Sequence, residues 1–223
     1  MPHVRRIVDL SHTIGPGMPV YPGDPVPMLT PHRTIERDGY NVMGVRFGSQ
    51  SGTHVDAPAH MDATGATVDA LPPELFVGRG VLFDVRDLGA RERITVDAIR
   101  AAAERVRPGD IALFHTGWSR YYGSDAYYTH PYLDPDACEL LLDRGVRTFC
   151  VDAPSVDETP SAGQAENGYP VHHLIAAAGG VIGENLCRLD LIDFPDPLVS
   201  LLPITIEGSD GAPTRAVALD LGY

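Results

Sequence analysis

Lysine is missing from this sequence: all seventeen basic residues are arginine. That absence excludes a Walker-type phosphate loop, a pyridoxal Schiff base and a lysine nucleophile together. Nor do the 23 glycines form the GxGxxG of a dinucleotide fold. A serine elbow of the GxSxG kind is lacking too, since the nearest match, Gly48 to Gly52, reads GSQSG with Gln50 at its centre. No apolar run approaches the roughly 18 residues that span a bilayer, and Met1 to Leu10 has no secretory core, so a cytoplasmic protein with no membrane partner is expected. The three cysteines, Cys138, Cys150 and Cys187, form no CxxC pair, which suits buried, reduced thiols. A formal charge of −13 repels a phosphate backbone, so no nucleic-acid partner is expected.

What is present reads as one continuous domain over residues 1–223, without repeats or charged linkers. β-Branched and aromatic runs predict strands over Arg6–Ile14, Val42–Phe47, Gly80–Val85, Ile111–His115, Val146–Val151 and Leu201–Glu207. Gly15 to Pro27 holds too much Pro and Gly for a regular element and must be a loop. Thr95 can cap a helix through VDAIRAAAERV, and Asp134 can cap PDACELLLDR, with Pro135 at its first position and Gly145 past its end. A third helix starts near Val171, and Ser209, Asp210 and Gly211 suggest a late hairpin turn. Strands interleaved with a few helices predict a mixed α/β fold richer in sheet than in helix.

Chemistry concentrates in Gln50 to Met61, QSGTHVDAPAHM. On an extended chain Gln50, His54 and Asp56 share a face with Gly52, which leaves an open space bounded by nitrogen and oxygen donors. Pro58 ends the ladder and swings His60 toward the rim of that space. Such donors suit Zn²⁺, or Mn²⁺ if oxygens complete the shell. A lone HxD is weak, so further ligands are needed. His172 and His173 open a short helix ending at Gly179 and Gly180, after which Val181–Leu186 returns as a strand carrying Glu184, so helix and strand can bring His172 and Glu184 to one point. Asp152 and Asp157, in VDAPSVD, are turn carboxylates or partners of a ligand histidine. The aromatic run Trp118 to Tyr132 suits core or subunit packing, or a substrate wall.

The segment resembles the signature HxGTHxDxPxH of the cyclase family of metal-dependent hydrolases, which includes bacterial kynurenine formamidases and, as relatives, isatin hydrolases. VDLSHTI, PVYPGDP, HPYLDPDACELLLDRGVR, DAPSVD, HH and GEN follow in the family's order across nearly the whole chain. The resemblance implies His54, Asp56, His172 and Glu184 as metal ligands, His60 as catalytic acid/base and Tyr21 against the substrate ring. In two-zinc members Asp56 and Glu184 would bridge the ions. It also implies a compact α/β domain with a β-barrel-like core (the swivelling β/β/α type), assembled as a homodimer or homotetramer. One position departs from the signature: its first histidine is Gln50 here, a weaker, oxygen-donating ligand. The expectation is one or two divalent ions, Zn²⁺ or Mn²⁺, with Gln50 in or beside the ligand set.

The reaction expected is attack of a metal-activated water, its pKa lowered to about 7, on a small amide. N-formylkynurenine or a related arylformamide is the leading substrate, and ring opening of a cyclic amide or lactone the alternative. The non-enzymatic alternative is a metal-binding or interaction protein without turnover.

Overall fold

The computed structural model describes residues 3–161 and 168–222. Its strands are β1 (His3–Asp9), β2 (Met28–Arg33), β3 (Val42–Arg46), β4 (His54–Asp56), β5 (Val77–Asp84), β6 (Arg93–Ile94), β7 (Ile111–His115), β8 (Tyr132–Leu133), β9 (Thr148–Val151), β10 (Val181–Glu184), β11 (Leu198–Ser200), β12 (Gly211–Pro213) and β13 (Val217–Gly222). Helices α1 (Ile35–Asp38), α2 (Val96–Ala103), α3 (Pro135–Asp143) and α4 (Pro170–Ala177) lie between them.

Nine strands form one sheet in the order β1-β13-β11-β5-β7-β9-β10-β4-β12. The mixed α/β class expected from the sequence is found, but the sheet is open, with β1 and β12 as its edges, rather than barrel-like. Strands β5, β7, β9 and β10 run parallel, and parallel neighbours need crossover connections, which α2, α3 and α4 supply. Side chains alternate between the two faces. Ala112 and Phe114 pack with Ile99, Leu141 and Ile175 of the helices, while Ile111 and Leu113 pack on the other face with Val55, Phe76 and Leu189.

The caps of α2 and α3 lie where the sequence puts them: Thr95 Oγ1 accepts from the Ala98 N–H and Asp134 from that of Asp136. Several strand assignments differ from the expectation, β5 beginning at Val77 and β9 at Thr148 among them. The first strand covers His3–Asp9, not Arg6–Ile14, because Leu10 onward turns into the loop. Leu201–Glu207 is not a strand: β11 ends at Ser200, and Pro203, which has no N–H to give a ladder, makes only an isolated bridge to Thr214. Met28–Arg33 is a strand that the sequence, with Pro31 inside and prolines ahead, does not announce. The turn expected at Ser209–Gly211 falls at Glu207 and Gly208, so Asp210 leads directly into β12. Part of the stretch Thr159 to Pro170, positions 162–167, lies outside the described residues. Cys138, Cys150 and Cys187 are buried and free. Among the described residues no helix is long and apolar enough to cross a membrane.

Candidate active site and metal centre

Register builds the site. In the antiparallel pair β10–β4, Glu184 lies opposite His54 and Ile182 opposite Asp56. Opposed residues share a face, so His54, Asp56 and Glu184 project together. The α4 helix brings His172 over them from its first turn. His54 Nε2 is 3.4 Å from Asp56 Oδ1 and 3.6 Å from Glu184 Oε2. His172 Nε2 is 3.7 Å from Asp56 Oδ2 and 3.5 Å from Glu184 Oε1. Each carboxylate therefore spans the gap between the two imidazoles, one oxygen toward each.

The rings are held from behind. His54 Nδ1 lies 2.8 Å from the Gly52 carbonyl, to which it donates, and His172 Nδ1 lies 2.7 Å from Asp157. Both Nε2 atoms are thereby left as the inward-facing nitrogens, the arrangement a metal ligand requires. Burial alone would lower the pKa of these histidines, but the surrounding carboxylates prevail. Asp56 leads in holding His54 at about 9, and Asp157 and Glu184 in holding His172 at about 10. Burial likewise opposes charge on Asp56, yet His54, His60 and His172 keep its carboxyl below its ordinary value.

Both oxygens of Asp56 are buried without a hydrogen-bond partner. Buried carboxylate oxygens that accept no hydrogen bond are costly; the imidazoles face them only at 3.4 and 3.7 Å, and a cation held by the two imidazoles and the two carboxylates would offset that cost. Two overlapping triads fit an ion, His54–Asp56–Glu184 and Asp56–His60–His172, and they share Asp56. The donor set of imidazole nitrogen and carboxylate oxygen suits Zn²⁺ or Mn²⁺.

Gln50 and His60 form the rim. Strand β4 begins only at His54, and Gly52 adopts a left-handed φ of 67°, so the extended run expected from Gln50 to Asp56 is broken. Gln50 still reaches the site, by a turn. Its Nε2 donates to Asp210 Oδ2 at 3.1 Å, and His60 Nδ1 meets the same oxygen at 3.0 Å. His60 itself ends a one-turn 3₁₀ helix, Pro58–His60. Burial pulls its pKa down and the Asp210 carboxylate more than restores it, leaving the value raised, while His60 in turn holds Asp210 at about 2. Gly211 makes this packing possible: a Cβ there would stand 2.6 Å from the Val55 carbonyl oxygen and 2.9 Å from the Gln50 amide.

These groups floor a cavity of about 330 Å³ whose walls include Tyr21, Asp24, Tyr127, Tyr128 and Tyr169. Tyr21 is half-buried, and burial and its hydrogen bond to Tyr169 push its pKa up, so the phenol stays neutral. The aromatic run divides its roles. Trp118 is core, while Tyr127, though fully buried, and Tyr128 also line the cavity. Of the two loop carboxylates, Asp157 supports His172, whereas Asp152 accepts from Thr116 and Gly117. The sequence reading missed Asp210 and Asn185. Asp210 belongs to an Asp-Gly step that reads in the sequence as an ordinary turn, although in the fold it leads into β12. Asn185 follows Glu184 in GEN and accepts from the Tyr127 hydroxyl at 2.7 Å.

Comparison with known proteins gives a consistent picture. The cyclase family matches residues 8–158. A kynurenine formamidase of Salinibacter ruber is 33% identical over 220 residues, covering 96% of this chain and 97% of the relative. A second, from Geobacillus thermodenitrificans, is 30% identical, covering 96% and 98%. Among solved structures, isatin hydrolase A from Ralstonia solanacearum superposes with a TM-score of 0.85 at 28% identity, covering 96% of this chain and 91% of that one.

Proposed function

This chain belongs to the cyclase family, and from that premise we propose that it is a metal-dependent hydrolase of small amides, with an arylformamide such as N-formylkynurenine as its substrate. The observation that carries the reading is the convergence of His54, Asp56, His172 and Glu184, with both Asp56 oxygens buried and accepting no hydrogen bond, at the floor of an aromatic-walled cavity. The kynurenine formamidases at 33% and 30% identity favour the formamide. Likeness to isatin hydrolase A favours a second substrate class, the cyclic aryl amide, whose carbonyl presents the same problem to the same groups.

His54, Asp56, His172 and Glu184 would hold one or two divalent ions. When bound, such an ion supplies Lewis acidity, polarising a carbonyl and acidifying water. The chain's own groups do the rest. Tyr21, Tyr127, Tyr128 and Tyr169 offer ring faces and edges to an aryl group and exclude water around it. Asp210 accepts the Nδ1 proton of His60, which fixes the tautomer in which Nε2 is the free base. Nε2 takes a proton as the nucleophile attacks and returns it to the leaving nitrogen. Gln50 donates to the same Asp210 oxygen and so steadies the clamp on His60 rather than completing a three-histidine ligand set.

The test is elemental analysis of the purified protein, followed by assays on arylformamides and isatin-type lactams, with His60→Ala as control. Turnover should disappear on chelation and return with added Zn²⁺ or Mn²⁺. Full activity in a sample shown to be metal-free rejects the proposal, and bound metal with no turnover on either class leaves the binding-protein reading in its place.

A further inference from the structure

Carboxylates line the cavity without a basic counterpart. Asp24, Asp56 and Glu184 are on its walls, no arginine is among the described residues there, and the chain has no lysine. Most of this negative charge is accounted for. Asp210, beside the cavity, pairs with His60, and a divalent ion would balance Asp56 and Glu184. Asp24 is left over. Its carboxylate is half-buried and forms no hydrogen bond or ion pair among the described residues. Burial raises its pKa, and the charges that bear on it are those of His54, His60, Asp210 and Asp56. A carboxylate in that position is short both of water and of a cationic partner of its own.

The loop that carries Asp24 is held in place. The Asp24 main-chain N–H donates to the Tyr21 carbonyl at 3.0 Å, closing a tight turn whose two ends both line the cavity. The Tyr128 hydroxyl donates to the Val20 carbonyl at 2.8 Å and ties that turn to the aromatic wall. Burial pushes the pKa of Tyr21, Tyr127 and Tyr128 up, so these phenols stay neutral. The Tyr127 hydroxyl is spent on Asn185. What the wall offers is therefore ring surface, and the face of a neutral aromatic ring attracts a cation. A carboxylate set among such rings is the chemistry that recognises an organic ammonium group.

We propose that Asp24 determines specificity by binding an ammonium group on the substrate. The inference rests on the arylformamide reading above and narrows it: the preferred substrates are aryl amides whose side chain ends in a primary amine. The ammonium donates to the Asp24 carboxylate, and its methylene chain lies against the tyrosine rings. A carboxylate on the substrate finds no arginine or lysine on these walls and is repelled by Asp24. An amine without a carboxylate is therefore a better substrate than the corresponding amino acid, and an acid without an amine is the poorest.

Ortho-formamidophenyl ketones that differ only in the chain on the ketone test this with the metal-loaded protein: 2-aminoethyl, 2-amino-2-carboxyethyl, propyl and 2-carboxyethyl. The aminoethyl compound should exceed the propyl compound in kcat/KM by about 10- to 100-fold, the usual worth of a hydrogen bond to a charged group. In Asp24→Asn that ratio should fall close to parity, with metal content by elemental analysis unchanged. Calorimetric binding of the deformylated aminoethyl product reads the same contact without turnover, and the parent should bind it about 10- to 100-fold more tightly than Asp24→Asn does. No preference for the aminoethyl chain, or one that survives in Asp24→Asn, overturns the proposal and leaves the hydrolase reading standing. Loss of metal from Asp24→Asn also overturns it, because the carboxylate would then be an ion ligand. Absence of turnover on the whole series, with amine binding that still depends on Asp24, rejects the hydrolase reading instead and upholds the ammonium site.

Discussion

Asp157 holds His172 twice with one oxygen: Oδ2 lies 2.7 Å from the ring Nδ1 and accepts the main-chain N–H of the same residue at 2.9 Å. Its other oxygen accepts the Val171 N–H at 3.1 Å. One buried carboxylate thus satisfies the first turn of α4 and orients the imidazole that the same turn presents to the site.

Asp157→Asn should therefore weaken metal binding more than it weakens the fold. The expected loss is about 10- to 100-fold in affinity, the usual effect of losing the partner of a ligand histidine. Competition with a chromophoric chelator measures it. Unchanged affinity in a folded variant would show that His172 is not a ligand.

Metal binding should release protons. In the metal-free protein the carboxylates hold His54 at about 9 and His172 at about 10, so both rings are protonated at pH 7. A ligand nitrogen must be free of its proton, so about two protons leave as the ion enters. Affinity should accordingly rise with pH from neutrality upward. Calorimetric titration in two buffers of different ionisation enthalpy reads the number, and a value of zero contradicts the ligand assignment.

Asp210→Asn should lower kcat with little effect on KM, because the amide no longer fixes the His60 tautomer but leaves the cavity walls intact. His60→Ala should be the more damaging change, by about 10²- to 10⁴-fold in kcat. Equal losses in the two variants, or a loss confined to KM, would count against a proton-transferring role for His60.

Acid should unfold the protein in a window set partly by His130. This ring is buried between the Pro131 carbonyl and the Thr159 hydroxyl, and burial holds its pKa near 4. The unfolded chain titrates near 6.5, so between the two values the unfolded state binds the extra proton. Stability is then fully present above about pH 6.5 and declines as pH falls toward 4, by on the order of 3 kcal/mol from this residue. Denaturant titrations between pH 4 and 7 should show a shallower decline in His130→Gln. An equal decline in both proteins would assign the acid sensitivity elsewhere.

Gly211→Ala should destabilise the protein by roughly 1–3 kcal/mol, the usual cost of overpacking. The new methyl would meet the Val55 carbonyl oxygen at 2.6 Å, a main-chain atom that cannot step aside, and would push on Gln50. Thermal unfolding measures the loss.

Local chemistry made much of this protein legible from its sequence. Thr95 and Asp134 cap their helices because a capping oxygen needs only neighbours within a few residues. Strand β7 falls where Ile111 to His115 puts it, since its residues are buried on both faces and carry the apolar signal of a central strand. The pattern HVDAPAH marked the nitrogen and oxygen donors that the fold gathers, because donor chemistry is carried by the side chains themselves.

Other features depended on contacts between distant segments. Gln50 and Asp210 are 160 positions apart and meet only because β12 pairs with β4. The Asp-Gly step carried no local mark of a functional carboxylate. The open order of the sheet, with β1 and β12 at its edges, is set by which strands pair, which strand propensity does not decide. Residue type alone determined which donors were available, because ligand chemistry is a property of the side chain. Where those donors stand, and that Gln50 reaches Asp210 beside His60, was decided by strand register and by the left-handed turn at Gly52, which only the folded chain imposes.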